Sequence, residues 1–441
     1  MIKADMMIKA EYVLKMDRDF TLIRNGAIAV KDNKIAFVGP EEEAAGKYIS
    51  DNVIGGQGKV AFPGFVNTHT HAAMVYFRGL ADDLPLKDWL EDNIWPAEDK
   101  WLSPEFVGDA VELACLEMLK AGTTLYSDMY FYGGAVAAST KKMGMRAVIG
   151  AGILDFPSKT AKTADEYFSN AEQFIRDWIG DELIVPCIAP HAPYTCSPET
   201  MKRAKELSVK YRVPMSLHLS ETEWELNGII KRYGKTPVAL LESIGVLDGS
   251  VVAAHCVWVD DEEIAILSDR KVGVSHCIES NLKLASGFAP VEKMLKAGVK
   301  VTFGTDGAAS NNDLNMLSEM STAAKIHKAV SGDPTAVSAR QAMLMATRWG
   351  AEVLGLGGIT GSIEEGKAAD IVLAGLDKPH LVPLYDIYSQ IVYAMLPSDI
   401  ETVIVNGRVV LKEGKLITAD ESEVLQKARE WGQKVRPASS R

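Results

Sequence analysis

Between residues 61 and 304, eight short apolar runs alternate with amphipathic stretches, and this alternation restricts the chain more than any other feature. The runs are 61–67, 124–129, 146–154, 184–189, 214–219, 251–254, 272–275 and 301–304. Stretches with helical spacing lie between them, among them 104–120, 163–179, 198–211 and 260–268. A run that is apolar on both alternating faces must be buried on both, which implies a parallel sheet covered by helices. Eight such units predict a closed (β/α)8 barrel of the TIM type. An open doubly wound sheet would want a Gly-x-Gly-x-x-Gly turn after a strand, and none is present.

The flanks read differently. Residues 23–30 and 34–39 are β-rich and bounded by turn signals, and so are 370–374, 402–411 and 414–417. The economical arrangement is a small β-sandwich built from both ends of the chain. The expected units are 1–61 and 368–441 for that module, the latter with a terminal helix, and 62–367 for the barrel. A length of 441 residues suits one large barrel plus a smaller module.

What ends each apolar run carries the chemistry. The first ends in PGFVNTHTH, with His69 and His71 one residue apart. On an extended segment positions i and i+2 share a face, so both imidazoles look at one point. Alone, this pair reads equally well as a polar loop leaving a strand. The second run leads into Ser127-Asp128, the fourth ends at His191, the fifth in His218-Leu-Ser-Glu221, the sixth at His255, the seventh at His276 and the eighth at Thr305-Asp306-Gly307. Six of the eight histidines thus lie at run ends, and in a barrel those ends rim one mouth, where active sites sit.

Catalytic zinc takes a few histidine and carboxylate ligands and keeps a position for water. His69 and His71 supply two ligands, and His218 and Asp306 complete the set. Runs 146–154 and 184–189 contain no lysine to bridge two metals, so one divalent ion per subunit is expected, with zinc first and iron, nickel or manganese compatible with the same ligands. Glu221 reads as a carboxylate facing a substrate above the metal, or as a helix N-terminal acid complementing the dipole. His255 reads as a group polarising the attacking hydroxide, or as a core histidine. His191 and His276 read as pocket walls; His327 and His380 lie off the pattern.

The remaining bulk features exclude partners. A net charge of −12 and no basic run argue against nucleic acid. No stretch approaches a membrane span, and the N-terminus has no signal-peptide pattern, although the repeated MIKA makes Met6 or Met7 an alternative start. Five scattered cysteines form neither a disulfide framework nor a Cys-x-x-Cys pair, which fits a reducing cytoplasm.

PGFVNTHTH, the His-x-x-Glu after a strand, the strand-end histidine, the late TDG and the GSIEEGKAADIVL segment resemble the amidohydrolase superfamily. More narrowly, THTHAAMVYFRGLADDLPLKDWLEDNIWPAE (68–98) and HCIESNLKLASG (276–287) resemble the 5-methylthioadenosine/S-adenosylhomocysteine deaminases. The resemblance implies His69, His71, His218 and Asp306 as metal ligands, Glu221 handling protons at the purine ring and His255 holding the attacking hydroxide. It implies Glu98 on ribose hydroxyls, His191 on the substrate, Ser310 lining the base pocket and a homo-oligomer, dimeric or tetrameric. In two places the chain departs from the pattern. Ala151 stands where an arginine for the homocysteine carboxylate is expected, leaving Arg146 as the nearby arginine, and Ile278 stands where proline is usual.

The expected reaction is hydrolytic removal of the 6-amino group of an adenosine derivative, giving the inosine derivative and ammonia. Asp306 would accept the water proton and share its return to the amine with Glu221. Methylthioadenosine, S-adenosylhomocysteine, adenosine and 5′-deoxyadenosine all fit. Two other readings stay open. One is an aminohydrolase or chlorohydrolase of the same fold acting on a free base, pterin or triazine, against which the Glu98 segment argues. The other is a non-catalytic scaffold, which would be expected to lose metal ligands, whereas all four are present.

Overall fold

The computed structural model describes residues 1–436; residues 437–441, the end of the expected C-terminal unit, lie outside the described residues. Six strands come first: β1 (Ile2–Lys3), β2 (Met6–Leu14), β3 (Leu22–Lys31), β4 (Lys34–Pro40), β5 (Tyr48–Ile49) and β6 (Val53–Pro63). Then follow β7 (Phe65–Thr70), β8 (Thr123–Tyr130), β9 (Arg146–Ile153), β10 (Ile184–Pro190), β11 (Met215–Leu219), β12 (Val251–His255), β13 (Gly273–His276) and β14 (Val301–Phe303). The last four are β15 (Ile371–Gly375), β16 (Ile400–Val405), β17 (Arg408–Lys412) and β18 (Lys415–Leu416).

Strands β7 to β14 form one eight-stranded parallel sheet in sequence order, as the alternation of apolar runs and helical stretches implies. The first and last strands face each other. Asp306 N–H donates to the His69 carbonyl at 3.0 Å, and the Thr68 hydroxyl donates to the Phe303 carbonyl at 2.9 Å, which closes the ring into a barrel. The crossover helices start where hydroxyls and carboxylates can satisfy free N–H groups. Ser103, Thr163, Ser197 and Thr222 cap helices Pro104–Lys120, Ala164–Trp178, Pro198–Tyr211 and Glu223–Tyr233, and Asp260 forms a capping box with Glu263.

The apolar run at 61–67 is two strands, not one. It breaks at Gly64, where β6 leaves one sheet and β7 enters the other. A Cβ at Gly64 would lie 2.0 Å from Thr124 Oγ1, so no larger residue fits between the barrel and the sheet beside it. That second sheet has the order β18-β17-β16-β15-β6-β2-β3-β4. Both ends of the chain meet in it at the antiparallel β6–β15 pair, with Pro63 opposite Ile371. Ile8, Val13, Ile28, Ile35, Ile371 and Ile404 share one apolar cluster, and β1 and β5 form a separate two-stranded ribbon.

Arg146 belongs to this junction and not to the substrate side. It opens β9 at the end opposite the barrel mouth. Its Nε lies 3.0 Å from Asp370 Oδ2, one guanidinium N–H donates to the Glu182 carbonyl at 2.7 Å, and both charged side chains are buried. A side chain consumed by these bonds at the floor of the barrel cannot reach a ligand at the top. The C-terminal helix Glu421–Val435 packs on Pro104–Lys120, with Trp431 Nε1–H donating to Asp109 at 3.0 Å. Among the described residues no helix is long and apolar enough to cross a membrane.

Candidate metal centre and active-site cavity

The strand ends of β7, β11, β12 and β14 converge. His69 and His71 share a face, with ring centroids 4.9 Å apart; His69 and His218 are also 4.9 Å apart, and His71 and His218 5.3 Å. His71 Nδ1 lies 2.6 Å from the Met129 carbonyl and His218 Nδ1 2.8 Å from the His191 carbonyl. A carbonyl only accepts, so both Nδ1 atoms carry hydrogen, and in the neutral rings both Nε2 atoms are lone pairs. Those two Nε2 atoms face each other at 3.2 Å, and the buried His69 Nε2 has no hydrogen-bond partner. Asp306 Oδ1 lies 3.5 Å from His69 Nε2 and 3.3 Å from His71 Nε2.

Two imidazole lone pairs, the unpartnered His69 Nε2 and a carboxylate oxygen are turned toward one point, an arrangement that a cation placed among them would satisfy. Burial opposes a charge on His71, yet the Asp306 carboxylate beside it pushes its pKa up to about 9. Burial likewise opposes ionisation of Asp306, and the two histidines override it and hold that carboxyl well below its ordinary range. A set of three imidazole nitrogens and one carboxylate oxygen suits a divalent cation such as zinc. A second cluster, His69, His255 and Cys277, is also close enough to bind an ion. Burial raises the Cys277 thiol well above its ordinary pKa, however, and the thiol form is a poor ligand.

Asp306 offers only one oxygen because the other is taken. Its Oδ2 accepts hydrogen bonds from Ser280 Oγ at 2.7 Å and Ser310 Oγ at 2.8 Å. This corrects the placement of Ser310, which is buried against Asp306 and does not line the cavity. Asp306 itself has φ +60°, and His255 has φ +74°; left-handed backbone at non-glycine residues is strained and concentrates at functional sites.

Glu221 and His255 meet beside the cluster, with His255 Nε2 3.7 Å from Glu221 Oε2. The other ring nitrogen, Nδ1, lies 2.9 Å from Asn281 Oδ1, which makes Nδ1 the donor and turns Nε2 toward the cavity. Burial raises the pKa of the Glu221 carboxyl above its ordinary value. Glu98 stands across the cavity, its Oε1 accepting from Tyr130 Oη–H at 2.7 Å, and burial pushes its pKa up to about 7. His191 pairs with Thr195 at 2.9 Å, and burial lowers it to about 3, so it is neutral at physiological pH. The cavity holds about 300 Å³ and is walled by Trp89, Trp95, Phe131, Phe156 and Tyr194, an apolar slot with few polar groups at its floor. His276 ends a barrel strand like the others, but it is fully buried and its Nε2 meets His327 Nε2 at 2.9 Å.

Sequence reasoning missed Ser280, Asn281 and Tyr130. The first two lie four and five residues past the strand-end His276, in HCIESN. Tyr130 is the last residue of β8, where a strand-end search restricted to histidines and acids passes over it.

This floor of histidines and acids at the C-terminal mouth of a (β/α)8 barrel is the architecture of a hydrolase site. Residues 60–410 match the Amidohydrolase family, and the chain belongs to that family. A 5-methylthioadenosine/S-adenosylhomocysteine deaminase of Thermodesulfovibrio yellowstonii is 53% identical over 98% of both chains. A 5′-deoxyadenosine deaminase of Methanosarcina acetivorans is 45% identical over 97% of both. The solved structure of an adenosine deaminase from Xanthomonas campestris with bound zinc superposes with a TM-score of 0.97 at 39% identity, covering 98% of this chain and 99% of that one.

Proposed function

We propose that this protein hydrolyses the 6-amino group of an adenosine derivative, 5′-methylthioadenosine or S-adenosylhomocysteine first among them, using one divalent cation, zinc, per subunit. His69, His71, His218 and Asp306 Oδ1 hold the cation. The observation that carries this reading is the convergence of three imidazole nitrogens, of buried His69 and His218 and part-buried His71, and one carboxylate oxygen beside a protonatable glutamate in an apolar slot. When bound, the cation supplies Lewis acidity, bringing the pKa of a water toward neutrality.

The chain's own groups do the rest. The aromatic walls sandwich the purine and exclude bulk water. Glu221 donates its proton to the ring nitrogen beside C6, which makes C6 electrophilic as the water oxygen adds. His255 Nε2, with Nδ1 committed as donor to Asn281, accepts a hydrogen of that water and so turns its oxygen toward C6. Asp306, held ionised, takes one water proton and passes it to the amino nitrogen, which departs as ammonia, while the proton remaining on the oxygen returns to Glu221. Glu98 has one oxygen committed to Tyr130 and the other free for ribose hydroxyls, and His191 borders the sugar. All five cysteines are unpaired and buried, which supports a cytoplasmic setting. A homo-oligomer belongs to the same proposal, supported by the exposed Val382, Tyr385 and Leu396 in one segment.

The test is ammonia release by zinc-loaded enzyme across adenosine derivatives, free bases, pterins and triazines. Release from adenosine derivatives is expected. No release from any of them overturns the reading.

A further inference from the structure

Helix Glu223–Tyr233 begins with Thr222, whose Oγ1 accepts the Glu225 N–H at 3.2 Å. A glutamate in that position ordinarily reaches back to the N–H of the capping residue and completes a capping box. Glu225 does not. Its carboxylate passes Thr222 and accepts two N–H groups further back, Ser220 at 3.2 Å on Oε1 and Glu221 at 2.8 Å on Oε2. The side chain is 1% exposed, so the carboxylate has been taken out of water for these two bonds.

The peptide it grips is an unusual one. Ser220 has φ +52°, and its carbonyl accepts two hydrogen bonds from the neighbouring loop, Val257 N–H at 3.0 Å and Trp258 N–H at 2.9 Å. Cys256 N–H donates to the Leu219 carbonyl at 3.0 Å. That loop begins at His255, and both His255 (φ +74°) and Cys256 (φ +48°) are left-handed. The turn that presents Glu221 and the turn that presents His255 are therefore tied together through residue 220, and Glu225 holds residue 220 from the other side.

We propose that Glu225 is a positioning residue: by clamping the Ser220–Glu221 peptide it sets Glu221 against His255 and keeps the two acting as one proton-handling pair. The inference rests on the proposed roles of Glu221 and His255. Glu225 touches no substrate; it acts only through the groups it places. Helix stability alone gives no reason for the arrangement, because the Thr222 cap is made independently and the Thr222 N–H is passed over.

The test uses steady-state kinetics of the zinc-loaded full chain with an adenosine derivative. Glu225→Gln keeps the shape but turns one acceptor into a donor facing an N–H. It is expected to lower kcat about 10- to 100-fold with KM within about threefold and zinc stoichiometry unchanged, in the range that misplacing a proton donor costs. Thr222→Ala, which removes only the helix cap, is expected to lower the unfolding midpoint with kcat unchanged. The reading a purely structural role would not move is a cycle with Glu221→Gln: the E221Q/E225Q double variant is expected to lose well under the product of the two single losses, because the proton donor of the pair that Glu225 sets is already gone. Should E225Q not fold, E225D keeps the carboxyl group on a shorter side chain and carries the same test with a loss of about three- to tenfold. Wild-type kcat in folded E225Q or E225D overturns the inference, as does a double variant whose loss is the product of the two single losses. Wild-type kcat in E221Q overturns the role of Glu221 and the inference with it.

Discussion

Asp306 presents a single oxygen to the histidine cluster because Ser280 and Ser310 occupy the other, and this predicts that two hydroxyls control metal affinity. Ser280→Ala and Ser310→Ala each remove one donor from Asp306 Oδ2, at 2.7 and 2.8 Å. A hydrogen bond to a charged acceptor contributes about 1.5–3 kcal/mol. The two hydroxyls lie 3.1 Å apart, so either can take over part of the other's work, which places each single variant at the low end, near 1.4 kcal/mol or about tenfold in the dissociation constant for zinc. Removing both leaves Oδ2 buried with no donor and frees the carboxylate to rotate, for a loss of about 100-fold, the upper range for groups that orient a ligand. The assay is competition for zinc against a chromophoric chelator, with the unfolding midpoint of the metal-free protein as the control for general damage. A double variant that binds zinc within twofold of wild type refutes the reasoning. If S310A instead raised KM with zinc affinity intact, Ser310 would belong to the base pocket after all.

Arg146→Ala breaks a buried ion pair and leaves Asp370 without its partner, which costs about 3–5 kcal/mol; chemical denaturation should show the loss while KM stays at the wild-type value, and a raised KM at unchanged stability would return Arg146 to the substrate side. Glu98 has its pKa raised by burial to about 7 from an ordinary 4.5, so the folded protein keeps a proton that the unfolded chain gives up. The stabilisation from that group is complete below pH 4.5 and is lost as pH rises through about 7. Glu98→Gln, with no proton to lose, should be more stable than wild type at pH 8 by roughly 2–3 kcal/mol and no more stable at pH 4; equal stability at both pH values contradicts this. In the proposed mechanism Glu221 donates from its protonated form, so kcat/KM should fall as pH rises past its elevated pKa. Glu221→Gln should lose about 10²–10⁴ in kcat and that alkaline limb together; a variant keeping the limb would assign it to another group.

Much of the architecture was legible because burial on both faces leaves a direct mark on composition. A parallel strand under helices is apolar throughout, and eight such segments separated by amphipathic stretches leave few alternatives. The histidines were legible for a related reason: six of the eight lie at the ends of apolar runs, a clustering that scattered structural histidines would rarely produce. Other features leave no such mark. The break between β6 and β7 at Gly64 depends on how closely Thr124 approaches, a contact across 60 residues. Arg146 was carried into the substrate set by the resemblance alone, although it opens its apolar run at the end away from the mouth, and its pairing with Asp370 shows what it does there. Ser310 entered through the resemblance as a base-pocket residue, and the bond of its hydroxyl to Asp306 depends on a side-chain direction that residue type does not carry. His276 followed the strand-end rule and yet turned to His327, because the helix Met316–Ser331 brings a second imidazole within 2.9 Å. Left-handed backbone at Ser220, His255 and Asp306 is invisible in residue type, since none is glycine or asparagine.

The most direct measurement is an anomalous-difference map from crystals of the zinc-loaded protein, collected on both sides of the zinc absorption edge. One peak per chain is predicted, within about 2.0–2.2 Å of His69 Nε2, His71 Nε2, His218 Nε2 and Asp306 Oδ1. A peak among His69, His255 and Cys277 instead, or none in the barrel mouth, would contradict the account.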